Sequence, residues 1–202
     1  MRHSQPSDQK ALYANMMEEV NARLETIFVA AQGGYRMHEM LAEEFCYFQL
    51  RMLCESIACA CLIAHGDLTG NVHKFRNQWS ADRILKNLAK LHPDFYPKPR
   101  IVTVTPERIE VEHKTEGFLA RAEFLKLYGL THSRSHRGSL KDMAERPPYV
   151  HVNFASIVEW ARKIEQLLND HLIQSPDETH SWLVLQKAAQ SGGHPLVVEV
   201  RR

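Results

Sequence analysis

The residues best suited to chemistry lie in one stretch, YGLTHSRSHRG, at positions 128–138. Within it, His132 and His136 are four positions apart, so in a helix both imidazoles lie on the same face. Two histidines at this spacing can hold a metal ion between them. Zinc proteases of this kind carry a glutamate directly after the first histidine, whereas here that position is Ser133. Because no third ligand follows at a recognisable spacing, we predict no metal site and no cofactor.

The same stretch suits phosphate binding. Arg134 and Arg137 each present a guanidinium fork that can bind phosphate through two hydrogen bonds. His136 can transfer a proton near neutral pH. The candidate catalytic residues are therefore Arg134, His136 and Arg137. The surrounding sequence is the most basic of the chain and suits a phosphodiester backbone, and the candidate binding residues there are His132, Ser133, Lys126 and Lys141.

A simpler interpretation of SRSHRG is the C-terminal end of a helix. Cationic side chains at that end complement the helix dipole and help to satisfy the last carbonyl groups. A glycine such as Gly138 is common just after the last turn. Both interpretations are retained, because motifs of this kind are unspecific.

The segment best suited to organise the fold is EFCYFQLRMLCESIACACLIAH, at positions 44–65. A helix that is apolar almost all round lies either in a protein core or in a membrane. This one is long enough to cross a bilayer, but Arg51 and Glu55 fall near its middle. Each charge would cost roughly 2.5–3.5 kcal/mol there. We therefore predict a buried helix in a soluble protein that does not contact a membrane.

Arg51 and Glu55 are four positions apart, which is close enough to pair on a helix surface. One interpretation is an internal ion pair that fixes how the helices pack. The other is that the pair supports a site on a facing helix, so both residues are also candidate binding residues.

Composition and charge narrow the class of protein. A net charge of +1 over 202 residues gives no global attraction to nucleic acid or anionic membrane, so any such contact must come from a local patch. The N-terminus lacks the apolar run of a signal peptide. Neighbouring cysteines along one helix are poorly placed for disulfides, and all four lie in the segment 44–65: Cys46, Cys54, Cys59 and Cys61. We therefore predict a cytoplasmic protein.

The periodicity of the apolar residues predicts a mainly α fold. We expect a helical bundle around the long buried central helix, with a small inserted β-hairpin at about 100–114 and a C-terminal β-hairpin. Residues 1–178 would form the helical domain and 179–202 the hairpin extension. The extension would close back on the domain or offer an edge strand to a second copy.

The other predicted helices have recognisable ends. The first runs from Asp8 to Gly33, with its apolar face at Leu12, Met16, Val20, Leu24, Ile27 and Ala31. A short helix follows Ser80, with an inner face of Ile84, Leu85, Leu88 and Leu91. Another spans Phe118 to about Thr131, and the last follows Asn153 and continues to Leu172.

A central apolar helix with a charged stripe, followed by a helix ending in an Arg/His cluster, resembles the HEPN superfamily over roughly residues 39–172. The pattern is also similar to that of bacterial helical proteins without an assigned activity. The HEPN resemblance implies a helical, often dimeric domain. In many members it also implies a metal-independent ribonuclease, in which an arginine and a histidine act at the dimer interface on RNA that supplies its own 2′-hydroxyl.

The family's hallmark is an arginine followed by a histidine after four to six intervening residues. Arg108–His113 and Arg146–His151 fit this spacing by chance, outside the expected helix, and within that helix the sequence departs from the hallmark. The corresponding positions before His136 are Gly129, Leu130 and Thr131, and those before His132 are Leu125, Lys126 and Leu127.

Two main functions follow. The first is a non-catalytic helical interaction protein, a homodimer that binds a protein or nucleic-acid partner. The second is a HEPN-type ribonuclease of a toxin–antitoxin or antiviral system, which would use His136 with Arg134 or Arg137. A metal-binding domain built on His132 and His136 has the least support. We favour the first function, which is not enzymatic.

Overall fold

The computed structural model describes residues 6–65, 80–105, 108–134, 152–174, 180–187 and 192–201. Over these residues the chain is mainly helical with some β-structure, as predicted. The helices are α1 (Pro6–Ala31), α2 (Glu39–Ala64), α3 (Ala81–Leu91), α4 (Arg121–Arg134) and α5 (Phe154–Leu168). The strands are β1 (Lys98–Val104), β2 (Ile109–His113), β3 (Asp170–Gln174), β4 (His180–Leu185) and β5 (Leu196–Arg201).

Helices α1 and α2 form an antiparallel pair, with Arg23 of α1 contacting Gln49 of α2. The predicted end of α1 is confirmed. Gly33 has a φ of 78°, in the region that favours glycine. A Cβ at Gly34 would lie 2.5 Å from a side-chain carbon of Val29 and 3.1 Å from its carbonyl oxygen, so the chain can turn here only with glycine.

The buried face of α1 differs from the predicted one at both ends. Leu12 is 50% exposed, and Tyr13 takes its place in the core. The buried residues follow the helical period from there: Tyr13, Met17, Val20, Leu24, Ile27 and Ala30. The prediction was wrong at Leu12 because Tyr13 fills the core position, with its hydroxyl hydrogen-bonded to His171. A tyrosine is readily buried when its hydroxyl has a partner.

Helix α2 contacts α1, α3, α4 and α5. Its large side chains Leu50, Leu53 and Ile57 are fully buried, together with Cys54 and Cys61. Among the described residues α2 is the one helix whose length and composition would allow it to cross a membrane, a test that core helices of soluble proteins also pass. Most of its apolar window is buried within the protein.

The predictions for α3 and α5 are confirmed in part. In α3 the inner face of Ile84, Leu85 and Leu88 is confirmed, but Leu91 in the last turn is 46% exposed. The predicted cap of α5 is confirmed, because the Asn153 side chain accepts a hydrogen bond from the Ala155 amide.

The strands form one antiparallel sheet in the order β2-β1-β3-β4-β5. Both predicted hairpins are present, with Val102 opposite Val111 in one and Leu183 opposite Val198 in the other. The prediction missed β3, which joins the two hairpins. Helix α5 was expected to continue to Leu172, but it ends at Leu168, and Leu172 pairs with Leu183 in the sheet.

Tertiary contacts explain why residues 170–174 form a strand and do not extend α5. Residues 170–174 are apolar enough to extend the helical pattern, but their backbone groups pair on both sides with β1 and β4. The sheet therefore holds strands from both sides of residue 179. The proposed division into two domains at that point stays a prediction.

Candidate functional site

The charged stripe of α2 faces α4, and four side chains meet between the helices. The Arg51 Nε donates to Glu55 Oε1 at 3.1 Å, and the Arg51 Nη1 lies 3.3 Å from His132 Nδ1. The Arg51 guanidinium carbon is 5.5 Å from the centre of the Tyr128 ring, whose hydroxyl donates to Glu55 Oε1 at 3.4 Å. We call these residues the Arg51 cluster.

Helical spacing builds the Arg51 cluster. Arg51 and Glu55 are four residues apart on α2, and Tyr128 and His132 are four apart on α4, so each helix presents a matching pair. The Arg51 and Glu55 side chains are 19% and 22% exposed, so the pair is partly desolvated. Such a pair fixes the packing of α2 on α4, but it adds less stability than its Coulomb energy alone would give.

Hydrogen-bond chemistry assigns the protons in the cluster. A guanidinium group only donates, so in this contact the Nδ1 of His132 is the acceptor. Burial raises the pKa of Tyr128, and the Glu55 carboxylate raises it further, so this phenol stays protonated as a donor. The cluster therefore combines the guanidinium of Arg51 and the carboxylate of Glu55 with a phenol and an imidazole from α4.

Arg134 forms a second contact between the same helices. Its Nη1 lies 3.5 Å from Glu43 Oε1, and its guanidinium carbon is 5.4 Å from the centre of the Tyr47 ring. The Arg134 side chain is still 47% exposed. Its guanidinium is therefore held against α2 while remaining accessible to solvent.

The last described turn of α4 has two hydrogen bonds from side-chain hydroxyls to backbone carbonyls. The Ser133 hydroxyl donates to the Leu130 carbonyl at 2.8 Å, and the Thr131 hydroxyl donates to the Tyr128 carbonyl at 2.8 Å. His132 and Arg134 place basic groups in the last turn. The simpler interpretation of SRSHRG as a helix end depends on positions 135–138, which lie outside the described residues.

The structure brings some of the predicted site residues together. Arg51, Glu55 and His132 meet in the Arg51 cluster, and Ser133 is exposed in the same helical turn as His132. Lys126 is exposed on α4, outside the cluster. Three candidates lie outside the described residues: His136, Arg137 and Lys141.

Sequence reasoning did not assign Glu43, Tyr47 or Tyr128 to the site. The available signal was the repeated four-residue spacing from Glu43 to Glu55 on α2, matched by the spacing from Tyr128 to His132 on α4. Which of these residues face each other depends on how the two helices pack, and the spacing within one helix does not contain that information.

Metal and thiol chemistry have little support in the described part of the chain. No group of three or more metal-binding side chains is present within it. Burial raises the pKa of the Cys46 thiol to about 11, with a further contribution from Glu43. Burial also raises the pKa of the fully buried Cys54 and Cys61 thiols. These thiols are therefore protonated at neutral pH and pack as small apolar side chains.

A cleft of about 410 Å³ lies elsewhere, between α1, α5 and the end of β4. Gln186 lines it and donates to the Met17 carbonyl at 3.2 Å and to Asn21 Oδ1 at 2.8 Å. The described lining combines amides, the carboxylates of Glu25 and Glu165, the amine of Lys187 and apolar side chains.

A buried titratable pair connects the helices to the sheet. Tyr13 of α1 and His171 of β3 are fully buried, and the Tyr13 hydroxyl lies 2.7 Å from His171 Nε2. His171 Nδ1 lies 3.0 Å from the Leu168 carbonyl oxygen, so it must be the protonated nitrogen, and Tyr13 donates to Nε2. Burial lowers the pKa of His171 to about 4.

No family model matches the chain, and no curated protein or solved structure is significantly similar to it. The functional argument therefore depends on the geometry described above.

Proposed function

We propose that the chain is a non-catalytic interaction protein that acts as a cytoplasmic homodimer and binds RNA at the C-terminal end of α4. Its framework would be a helical bundle around α2. The observation that carries the proposal is Arg134, which Glu43 and Tyr47 hold in place while about half of its side chain stays exposed. His132 and Ser133 are exposed beside it, and the sequence continues with further basic residues.

The geometry is suited to binding. A guanidinium group held against an aromatic ring loses less conformational freedom when it binds phosphate, because its orientation is already fixed. Serine and histidine side chains in the same turn can add hydrogen bonds to phosphate or sugar oxygens.

The Arg51 cluster favours binding over cleavage. The positive charge of Arg51 is opposed by Glu55, and the Nδ1 lone pair of His132 is directed at Arg51. A general base needs a free lone pair, so in this arrangement Nδ1 does not take a proton from substrate. The cluster then positions α4, and the exposed end of α4 meets the partner.

The test is RNA binding measured by fluorescence anisotropy as the salt concentration is raised. Wild type would be compared with Arg134→Gln and with Arg162→Gln, a control that removes an exposed arginine from α5. Loss of one phosphate contact should weaken binding to all sequences and reduce the slope of log affinity against log salt by about 0.7–1. Arg162→Gln should behave like wild type. Absence of RNA binding at low salt would refute the proposal and favour a protein partner.

A HEPN-type ribonuclease is the second candidate, because the exposed Arg134 is followed in the sequence by His136 and Arg137, which are residue types that such an enzyme uses. In such a reaction the 2′-hydroxyl attacks the adjacent phosphorus and the bond to the 5′-oxygen breaks. One group accepts the proton of the 2′-hydroxyl, and another protonates the leaving oxygen. On this hypothesis His136 acts with Arg134 or Arg137, and the Arg51 cluster supports them from α2.

RNA incubated with EDTA and with wild type, His132→Ala or His136→Ala separates the two candidates. A binding protein leaves the RNA intact in all three samples. Cleavage by wild type that survives EDTA and is lost in His136→Ala would establish the ribonuclease and overturn our choice.

A further inference from the structure

One face of α2 is apolar and exposed. Met40, Leu41 and Phe48 are each 51% exposed, and Met52 on the next turn is half-buried. Leu41, Phe48 and Met52 recur at steps of seven and four residues, so they lie on one side of the helix. Single exposed apolar residues are normal on a protein surface, but a row along one helix marks a contact surface. We call the row formed by Leu41, Phe48 and Met52 the α2 face.

Two helices flank the α2 face. On one side α1 contacts α2 through Arg23 and Gln49, at 2.7 Å. On the other side α4 contacts it through Arg51 and His132. The α2 face lies between these two seams, and the exposure of its side chains shows that the described residues leave it largely uncovered.

The charges beside the α2 face make it complementary to itself. Glu44 is four residues before Phe48 and Arg51 is three residues after it, and both lie toward the α4 side of the helix. If two α2 helices cross antiparallel with their Phe48 residues in contact, the two-fold axis places Glu44 of one copy beside Arg51 of the other. The same operation places a second such pair on the other half of the interface.

We propose that the α2 face binds the same face of a second copy of this chain, with Phe48 at the two-fold axis. This inference rests on the proposed homodimer and specifies its interface. Each copy then contributes Glu44 to the Arg51 cluster of the other, so Arg51 faces two carboxylates. In this dimer the α2 face is buried, and the exposed C-terminal turns of both α4 helices belong to one assembly.

The test is molar mass, measured by sedimentation equilibrium over a range of protein concentrations. Wild type should be a dimer, and Phe48→Glu should weaken dimerisation about 30-fold or more, because it places two carboxylates at the centre of an apolar contact. Ile109→Glu is the matched control, since Ile109 is 61% exposed on the edge strand β2. It should leave the dimer unchanged.

Glu44→Lys provides a second, independent variant. It replaces attraction to Arg51 of the other copy by repulsion, so dimerisation should weaken several-fold at low salt and recover as salt screens the charges. Far-ultraviolet circular dichroism checks that each variant is folded. If Phe48→Glu does not fold, Glu44→Lys still decides the question.

Three results would overturn the inference: a monomeric wild type, a Phe48→Glu or Glu44→Lys variant that dimerises like wild type, or a dimer that Ile109→Glu dissociates. The RNA-binding assay reports separately on the proposed function. A monomer that binds RNA refutes the homodimer and leaves RNA binding standing. A dimer that Phe48→Glu and Glu44→Lys leave intact refutes this interface only, and a dimer with this interface and no affinity for RNA refutes the RNA partner only.

Discussion

Acid should destabilise the fold through His171. This imidazole is fully buried and neutral, and burial holds its pKa at about 4, below its ordinary value of 6.5. Between pH 4 and pH 6.5, the unfolded chain therefore binds a proton at this histidine that the folded chain does not bind. The contribution of the neutral His171 to the free energy of unfolding is therefore fully present above pH 6.5 and is lost as the pH falls toward 4.

The size of the effect follows from the two pKa values. At pH 5 the unfolded histidine is almost fully protonated, whereas only a small fraction of the folded protein carries the proton. The difference lowers the free energy of unfolding by about 2 kcal/mol relative to pH 8. A loss of this size is a large part of the stability of an ordinary domain.

Urea denaturation at pH 8, 7, 6 and 5 would measure this loss. The comparison is His171→Gln, whose amide can donate and accept hydrogen bonds but does not titrate. Burial also lowers the pKa of His65, so the wild-type slope includes other groups, and the difference between the two proteins isolates His171. We expect His171→Gln to lose about 2 kcal/mol less than wild type between pH 8 and pH 5. Equal losses in both proteins would refute the assignment of a buried neutral His171.

Three further substitutions and one control substitution test the packing. Tyr13→Phe leaves the Nε2 of its buried histidine partner unsatisfied and should lower the free energy of unfolding by about 1–3 kcal/mol in urea denaturation. Leu50→Ala removes a fully buried side chain and should cost about 2–5 kcal/mol, whereas Leu125→Ala on the exposed part of α4 should cost much less. Glu55→Gln removes the carboxylate that opposes Arg51 and should cost about 1–3 kcal/mol, with a double-mutant cycle between them giving at least 0.5 kcal/mol of coupling.

Much of the helical structure could be predicted from the sequence because its signals are local. Gly33 and Gly34 mark the end of α1, Asn153 caps α5, and apolar spacing identifies the buried face of α3. Each of these signals depends on residues within a few positions of one another. The two hairpins were predicted for the same reason, since alternation and a turn lie within one short segment.

The sheet as a whole could not be predicted in this way. Strand β3 exists because β1 and β4 pair with it, and Lys98 is far from Leu172 in sequence. The same limit explains the missed pair of Tyr13 and His171, whose contact joins two ends of the chain. Neither residue has a neighbour in sequence that identifies the other.

The candidate site was predictable in part. The spacing of Arg51 and Glu55 identified an ion pair, and the structure adds that His132 on the facing helix contacts it. The aromatic contacts of Tyr47 and Tyr128 depend on the packing of α2 against α4. Periodicity shows that each helix has a charged face, but it does not determine which charged faces meet.

The most direct test of the proposed function is to measure binding and integrity of one labelled RNA in the same EDTA-containing sample. We predict that anisotropy shows salt-dependent binding while a denaturing gel shows RNA of unchanged length at saturating protein. RNA that stays unbound at low salt would contradict the RNA partner. RNA that is shortened by wild type but not by His136→Ala would show instead that the protein is a metal-independent ribonuclease.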